Sequence, residues 1–315
     1  MLSSRRSNTY FQERILNVRW RLGCAALLVF IFTQPLRASV VDVTSPTTGW
    51  TAVQYSNSTP DPSSDQQTGS SEGDIVGNSL HPSFYTTFGD AGTLSLTDGT
   101  IGFRMRLGAD VNPAGFKTAL FVGIDANGDG AIDLFVGVNN SGAADTIGIW
   151  NPGNGANISP NTTTIVSTPL MSYAQVAANY RWTPVNTTID PTVGSATDID
   201  GGGQNDYFLT FTIPFSDVVA QLSTRGVAGV DQNSTFSYVM ATATQANSLN
   251  QDLNGVGKNY DGSATWSTLG ALADPISASG MIVPESSTGF ATAAVATVAI
   301  TAHYLNRYRR RAPRA

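Results

Sequence analysis

The sequence predicts an all-β protein: a single antiparallel β-sandwich or jelly roll with long loops, between an N-terminal signal peptide and a C-terminal transmembrane helix. Short alternating apolar runs are separated by turns rich in Gly, Asn and Asp, a pattern typical of strands joined by hairpins. Glycine accounts for 31 of 315 residues, and no long stretch has the periodicity of an amphipathic helix. The central body, residues 39–282, is long enough for one sandwich with a substantial core.

The elements of the body are predicted in chain order. Residues 54–74 are rich in Ser, Thr, Asp, Gln and Pro and predict a flexible loop with little to bury. Residues 93–96 and 101–107 alternate on either side of a turn at 97–100, so they predict a hairpin. Further strands are expected at 119–124, 132–138, 146–150, 207–213 and 235–244, with a loop at 151–163 and a short helix at 217–222 capped by Ser216.

The charge of the body excludes one class of partner. Residues 39–282 hold 21 acidic and 6 basic residues, a formal charge of −15, whereas the whole chain carries −6. A body this acidic does not neutralise phosphates, so no nucleic acid is expected as a partner. The only cysteine, Cys24, lies in the N-terminal signal, so the mature body is expected to contain no disulfide.

The residue types of the body also argue against catalysis. His81 is its only histidine and Glu72 its only glutamate. Thiol proteases and zinc hydrolases of the His-Glu-Xaa-Xaa-His type are therefore excluded, and no Gly-Xaa-Ser-Xaa-Gly turn accompanies His81. The sequence predicts that the protein is not an enzyme and has no catalytic residues, although two aspartates would suffice for glycoside hydrolysis.

The segment from Asp125 to Asp133, which reads DANGDGAID, has the most specific chemistry. Ca²⁺ binds about six to eight hard oxygen ligands, and alternate positions of a tight loop can direct side-chain oxygens at one ion. The sequence therefore predicts a structural Ca²⁺ site whose ligands are Asp125, Asn127, Asp129, the carbonyl of Ala131, and Asp133. The alternative is a solvated turn without metal, in which the converging oxygens would repel one another.

This loop resembles the first nine positions of an EF-hand loop. The resemblance ends at Val136, where an EF-hand has a bidentate Glu, and the flanking segments are predicted strands rather than helices. The segment is closer to the Asp-Xaa-Asn-Xaa-Asp-Gly loops that other extracellular proteins place between β-strands.

Two weaker acidic clusters follow. Asp198, Asp200 and Asp206 flank a run of glycines and form a possible second metal site, with a flexible glycine loop as the alternative. Asp252, Asn254 and Asp261 form the other cluster, in which the residues are spaced more loosely across a Gly-rich loop.

Tryptophan provides the candidate sugar contacts. Trp150 and Trp182 are possible stacking platforms for a glycan, whereas the alternative places these rings in the core of the sandwich.

Both ends of the chain carry targeting signals. Residues 1–38 combine several arginines with an apolar run of eleven residues, Leu22 to Phe32, and a cleavage site after Ala38, so they predict a signal peptide cut by signal peptidase. Residues 283–315 begin with Val283, Pro284 and Glu285, continue with an apolar span at 289–305, and finish with a basic segment at 306–315. The basic end contains Arg307, Arg309, Arg310 and Arg311, which are expected to stay cytoplasmic.

This tail resembles the PEP-CTERM sorting signal. The resemblance implies recognition by exosortase, a membrane protease of Gram-negative bacteria that make exopolysaccharide, while the chain is held in the inner membrane. The usual motif has a second proline after the glutamate, whereas this chain has Ser286, so the subtype differs. A plain C-terminal anchor that is never cut is the alternative.

The body weakly resembles carbohydrate-binding jelly rolls of the family 9 type. The resemblance lies in a strand, an Asp-rich turn and a second strand, followed later by a strand that ends in Ile-Pro-Phe before a short helix.

The sequence thus predicts an exported protein of the cell surface or extracellular matrix, with a structural or adhesive role in the exopolysaccharide or biofilm layer. A carbohydrate-binding module with a specific glycan ligand is the first alternative, and a glycan-active enzyme is the second.

Overall fold

The computed structural model describes residues 40–55, 61, 65–67, 70–111, 114–160, 164–257 and 259–279. These residues form two β-sheets in which every strand pair is antiparallel. The prediction of an all-β fold built from antiparallel sheets is therefore confirmed.

The first sheet has five strands in the order β1-β2-β3-β9-β8. Its strands are β1 (Thr51–Ala52), β2 (Phe84–Gly89), β3 (Thr100–Leu107), β8 (Tyr180–Pro184) and β9 (Tyr207–Pro214). The second sheet has seven strands, in the order β11-β10-β4-β5-β6-β7 with β12 also paired to β10. Its strands are β4 (Ala119–Asp125), β5 (Leu134–Asn139), β6 (Thr146–Trp150), β7 (Met171–Ala174), β10 (Thr235–Ala243), β11 (Asp252–Leu253) and β12 (Ile276–Ser277).

Two α-helices accompany the sheets in the described part of the chain, α1 (Phe215–Ser223) and α2 (Trp266–Leu269). Helix α1 follows β9 directly and buries Phe215, Val218 and Leu222, whose spacing places them along one face. Pro214 occupies its N-cap position without a side-chain hydrogen bond, so Ser216 is not the cap. Single-turn 3₁₀ helices lie at Thr47–Gly49 and Ser71–Gly73.

The main hydrophobic core lies between the two sheets. Phe103, Met105 and Phe211 of the first sheet pack in one buried cluster with Val122 and Met240 of the second. Because loops cover the outer faces as well, β4 is buried along its whole length. A second cluster, which includes Phe121 and Trp266, covers the far side of the larger sheet.

The outer face of the five-stranded sheet buries two arginines of β3. The Arg104 guanidinium lies 4.3 Å from the ring centroid of Trp50, and its Nη2 donates to the Val43 carbonyl at 3.0 Å. Arg106 makes an ion pair with Asp206. The alternating pattern of β3 is therefore correct, but its polar face meets other loops rather than water.

The predicted strands at 119–124, 132–138, 146–150, 207–213 and 235–244 and the helix at 217–222 are confirmed to within a few residues. The predicted strand at 93–96 is wrong: these residues form a loop in which Leu94 is 88% exposed. The hairpin partner of β3 is instead β2. The edge strands β7 and β8 were not predicted, because partly exposed edge strands lack a clear apolar alternation.

The segment 54–74 also differs from the expectation of a loop with little to bury. Its described residues include Asp61, Asp65, Glu72 and Asp74, and all four side chains are buried. Composition misled the prediction here, because these polar residues are buried against β11 and neighbouring loops rather than against an apolar core.

Candidate functional site

The predicted calcium loop connects β4 to β5. Asp125 is the last residue of β4 and is buried, whereas Asn127 and Asp129 at the tip of the loop are exposed. Gly128 and Gly130 adopt φ angles of 76° and 82°, which only glycine reaches without strain. The two glycines therefore make the tight turn that the motif predicts.

Side-chain oxygens organise the backbone of this loop. The Asp125 carboxylate accepts the amides of Gly128 at 2.7 Å and Gly130 at 2.9 Å. Asp129 Oδ1 accepts the amide of Ala131 at 2.8 Å, and Asp133 Oδ2 accepts that of Ala126 at 2.9 Å. These hydrogen bonds fix the carboxylates against the backbone of the turn.

The carboxylates of the loop interact electrostatically, but they are not among the acidic groups that converge to within 4.8 Å in the described residues. Burial raises the pKa of Asp133, and the negative charges of Asp125 and Asp129 raise it further. Burial lowers the pKa of Arg225, which lies beyond the end of α1, and the negative charge of Asp133 acts in the opposite direction. A calcium ion at this loop stays a prediction.

The structure does bring Asp198, Asp200 and Asp206 together, with one carboxylate oxygen of each within 4.8 Å of the others. Their environments differ. The Asp198 carboxylate accepts hydrogen bonds from the amides of Gly202 at 3.0 Å and Gly203 at 2.8 Å. A hydrogen bond from Asp200 lowers the pKa of Asp198, while burial, and then the same hydrogen bond, raises the pKa of Asp200 to about 6.

Asp206 has a cationic partner already. Its Oδ2 lies 2.7 Å from Arg106 Nε, and both side chains are fully buried. Burial raises the pKa of Asp206 to about 6, while the charge and the hydrogen bond of Arg106 act in the opposite direction. Because the guanidinium supplies the positive charge, this cluster needs a metal less than a set of unpaired carboxylates does.

The two predicted glycan-stacking tryptophans have different positions. Trp150 is only 1% exposed and meets Phe121 edge-on at 5.1 Å, so its proposed stacking role is wrong. Trp182, on the edge strand β8, is partly exposed and stacks on Tyr207 with centroids 4.9 Å apart and planes at 24°. Trp150 is a core residue because loops cover the outer face of its sheet.

A further acidic group was not predicted as a site. Asp61, Asp65 and Asp252 each contribute one carboxylate oxygen to a group within 4.8 Å, and all three are buried. Burial raises the pKa of Asp61 and Asp252 well above the usual range, and the neighbouring acidic charges raise both further. The sequence signal was weak, because Asp61 and Asp65 lie in a low-complexity segment far from Asp252 along the chain.

Asp252 and Asn254 had been grouped with Asp261, but the structure separates them. Asp252 and Asn254 are buried, whereas Asp261 is exposed and accepts the amide of Ser263 at 3.0 Å. The spacing of the three residues was a poor guide, because Asp261 lies beyond the buried segment.

A polar cavity of about 280 Å³ adjoins Asp61. Its polar lining consists mainly of Tyr55, Asp61, Asn78, Ser79, Ser83 and Asn254. Ser83 Oγ donates to Asn254 Oδ1 at 2.5 Å, while the nearby His81 Nδ1 lies 3.8 Å from Asp190 Oδ2. Ser83 and His81 therefore have different polar partners.

The sorting motif Val283, Pro284 and Glu285, the span 289–305 and the basic end at Arg307, Arg309, Arg310 and Arg311 lie outside the described residues, as does the signal peptide. Within the residues that are described, no helix has the length and apolar character needed to cross a bilayer.

Comparison with known proteins finds no family model, no curated protein and no solved structure that matches this chain.

Proposed function

We propose that this chain is an exosortase-sorted extracellular protein with a structural or adhesive role in the exopolysaccharide or biofilm layer of a Gram-negative bacterium, stabilised by calcium. The observation that carries the proposal is the tail pattern: Val283-Pro284-Glu285, an apolar span, and an arginine cluster at the C-terminus. Signal peptidase and the exosortase are its processing partners, and the inner membrane holds the chain before processing.

The charge distribution supports the separation of the chain into targeting ends and an extracellular body. Eleven of the 17 basic residues lie in the two targeting ends, so the body that remains after processing is strongly acidic. An acidic body remains soluble and attracts cations in the extracellular matrix. The buried core between two sheets supports a rigid module that needs no disulfide.

A non-enzymatic role is part of the proposal. Ser83 donates to Asn254, and His81 approaches Asp190, so these residues take part in structural contacts. A glycan-active enzyme remains the second alternative, and it would need two carboxylates about 5–10 Å apart in one cleft. The cavity described above has one carboxylate, Asp61, in its lining.

The first alternative is a carbohydrate-binding module of the jelly-roll type. The observation that favours it is the Trp182–Tyr207 pair, which lies on neighbouring strands and is partly exposed. Aromatic rings at such a position can stack on a sugar. Since the two rings stack on each other, one face of each is already occupied, which favours the structural role over the module.

The sorting part of the proposal is tested by mass spectrometry of the C-terminus of the protein recovered from the cell surface. We expect the mature chain to end near Glu285, without the span and the arginines. Glu285→Ala should block processing and leave the tail attached, whereas Ser286→Pro, which restores the usual motif, should be processed normally. An intact arginine cluster on the surface protein would indicate a plain anchor instead.

A further inference from the structure

We infer that Asp61, Asp65 and Asp252 form a buried binding site for a divalent cation, which we assign as Ca²⁺. The site shares no residue with the Asp125–Asp133 loop, so the inference does not depend on that loop or on sorting by exosortase.

The three aspartates come from distant parts of the chain. Asp61 and Asp65 lie between β1 and β2, whereas Asp252 begins β11 at the edge of the seven-stranded sheet. One carboxylate oxygen from each lies within 4.8 Å of the other two, and the residues are 3%, 6% and 2% exposed. Three buried carboxylates are thus placed around one point.

Backbone amides fix two of these carboxylates in position. Asp252 Oδ2 accepts the Ile75 amide at 2.6 Å and its Oδ1 accepts the Leu253 amide at 2.8 Å. Asp61 Oδ1 accepts the Gly255 amide at 2.5 Å. Asp61 and Asp252 are therefore oriented by backbone groups of the fold.

The second oxygen of Asp61 provides independent support for a ligand. Asp61 Oδ2 is buried and accepts no hydrogen bond from any residue that the structure describes. A buried carboxylate oxygen without a donor is rare in folded proteins, because nothing replaces the water that it loses. A bound cation would satisfy this oxygen.

The surrounding charges have the sign that a cation requires. The charges that act on Asp61 are those of Asp252, Asp65 and Asp74, and all are negative. Among the described residues, His81 and Arg106 pair with Asp190 and Asp206 instead. Asp61 and Asp252 thus have no arginine, lysine or histidine ion-pair partner among the described residues.

The ligand atoms determine the class of ion. Carboxylate oxygens are hard ligands, which favour Ca²⁺ or Mg²⁺ over zinc and other softer metals. The adjoining cavity, lined by Asp61, Tyr55 and Asn254, has room for water molecules that complete an irregular coordination shell. Ca²⁺ accepts such a shell more readily than Mg²⁺, which demands a near-ideal octahedron. The ion would attach the segment after β1 to the edge strand β11.

The test measures the calcium bound by the full-length chain after chelation and dialysis against Ca²⁺. The background carries Asp129→Ala, so that the β4–β5 loop does not contribute. We expect Asp61→Asn and Asp252→Asn, which keep the shape but remove the charge, each to bind one calcium ion fewer per chain than the background. The exposed Asp261→Asn is the matched control and should bind as the background does.

Several results would overturn the inference. Equal calcium binding by the background and both buried variants, with native circular dichroism, would exclude the site. If a buried variant fails to fold, the melting temperature of the background protein decides: it should rise with Ca²⁺ over chelator, and no rise would count against the site. A rise with Mg²⁺ alone would overturn the assignment to calcium. A rise in stability for Asp252→Asn that is equal in chelator and in Ca²⁺ would mean that the carboxyl group is kept protonated without a metal.

Discussion

Arg106 Nε lies 2.7 Å from Asp206 Oδ2, and neither side chain has any solvent exposure. Arg106 Nη2 also donates to the Ala196 carbonyl at 2.7 Å. The ion pair therefore attaches the loop before β9 to the outer face of β3. The fold places one of its few basic residues where it neutralises an acidic one, at a point that water does not reach.

We expect Asp206→Ala to lower the free energy of unfolding by about 3–5 kcal/mol, because it removes the closer of the two carboxylates that pair with a buried guanidinium. Denaturant unfolding followed by circular dichroism measures the change. The matched control is Arg181→Ala on the exposed face of β8, where a change within about 0.5 kcal/mol is expected. Equal losses for the two variants would mean that the buried pair has no special role.

Glu72 should make stability depend on pH. Its carboxylate accepts the amide of Lys117, yet burial, the largest effect, raises its pKa. Because the pKa is higher in the folded state than in the unfolded state, the folded protein binds the proton more tightly. Stability should therefore fall as the pH rises from the ordinary glutamate value of about 4.3 through the raised value.

The variant Glu72→Gln tests this, because it mimics the neutral acid. In chelator, its free energy of unfolding should fall less than that of the unmodified chain between about pH 4 and pH 7. Asp145→Asn at an exposed position should keep the full pH dependence. Parallel curves for Glu72→Gln and the unmodified chain would show that Glu72 does not contribute.

The β4–β5 loop should respond to chelator independently of the buried aspartates. In a chain carrying Asp252→Asn, EDTA should lower the melting temperature, and adding Asp129→Ala should abolish that shift. Calcium at about a hundredfold excess over its Kd would stabilise the fold by about 2.7 kcal/mol. Differential scanning calorimetry measures both effects, with Asp145→Ala as the control. An unchanged melting temperature in EDTA would remove calcium from the loop.

Alanine substitutions of Trp150 and Trp182 should distinguish a ring that stabilises the fold from a ring that is placed to bind a glycan. Trp150→Ala should cost about 3–5 kcal/mol of unfolding free energy, because the ring fills a closed cluster against Phe121. Trp182→Ala should cost less, since its ring is partly exposed. A glycan array probed with the unmodified chain should give no specific signal if the role is structural. A specific signal that Trp182→Ala removes would favour the carbohydrate-binding module.

The sequence was most informative where neighbouring residues determine the structure. The strands that became β4, β5, β9 and β10 are strongly apolar and bounded by turn residues, so their type and limits were predictable. The tight β4–β5 turn was predictable from the glycine of the motif at Gly130, and the structure gives both Gly128 and Gly130 positive φ angles. The sequence was less informative for the edge strands, whose exposed positions weaken the pattern.

Burial of polar residues followed only from the tertiary structure. The alternation of residues 101–107 predicted a strand, but the loops that cover Arg104 and Arg106 on its outer face come from elsewhere in the chain. Trp150 was ambiguous for the same reason. An alternating pattern reports which face a side chain occupies, and it does not report what covers that face.

By itself, the sequence determined the all-β character of this protein and the position of its most strongly apolar strands, and it supplied the patterns at both ends on which the sorting proposal depends. Only the tertiary structure brought Asp61 and Asp65 to Asp252. The segment before β2 reaches β11 through contacts such as that of the Ile75 amide with Asp252, which are 177 residues apart along the chain. Contacts at that separation depend on how two sheets and their covering loops pack together. No local pattern encodes them, and the buried aspartates could therefore be found only in the folded chain.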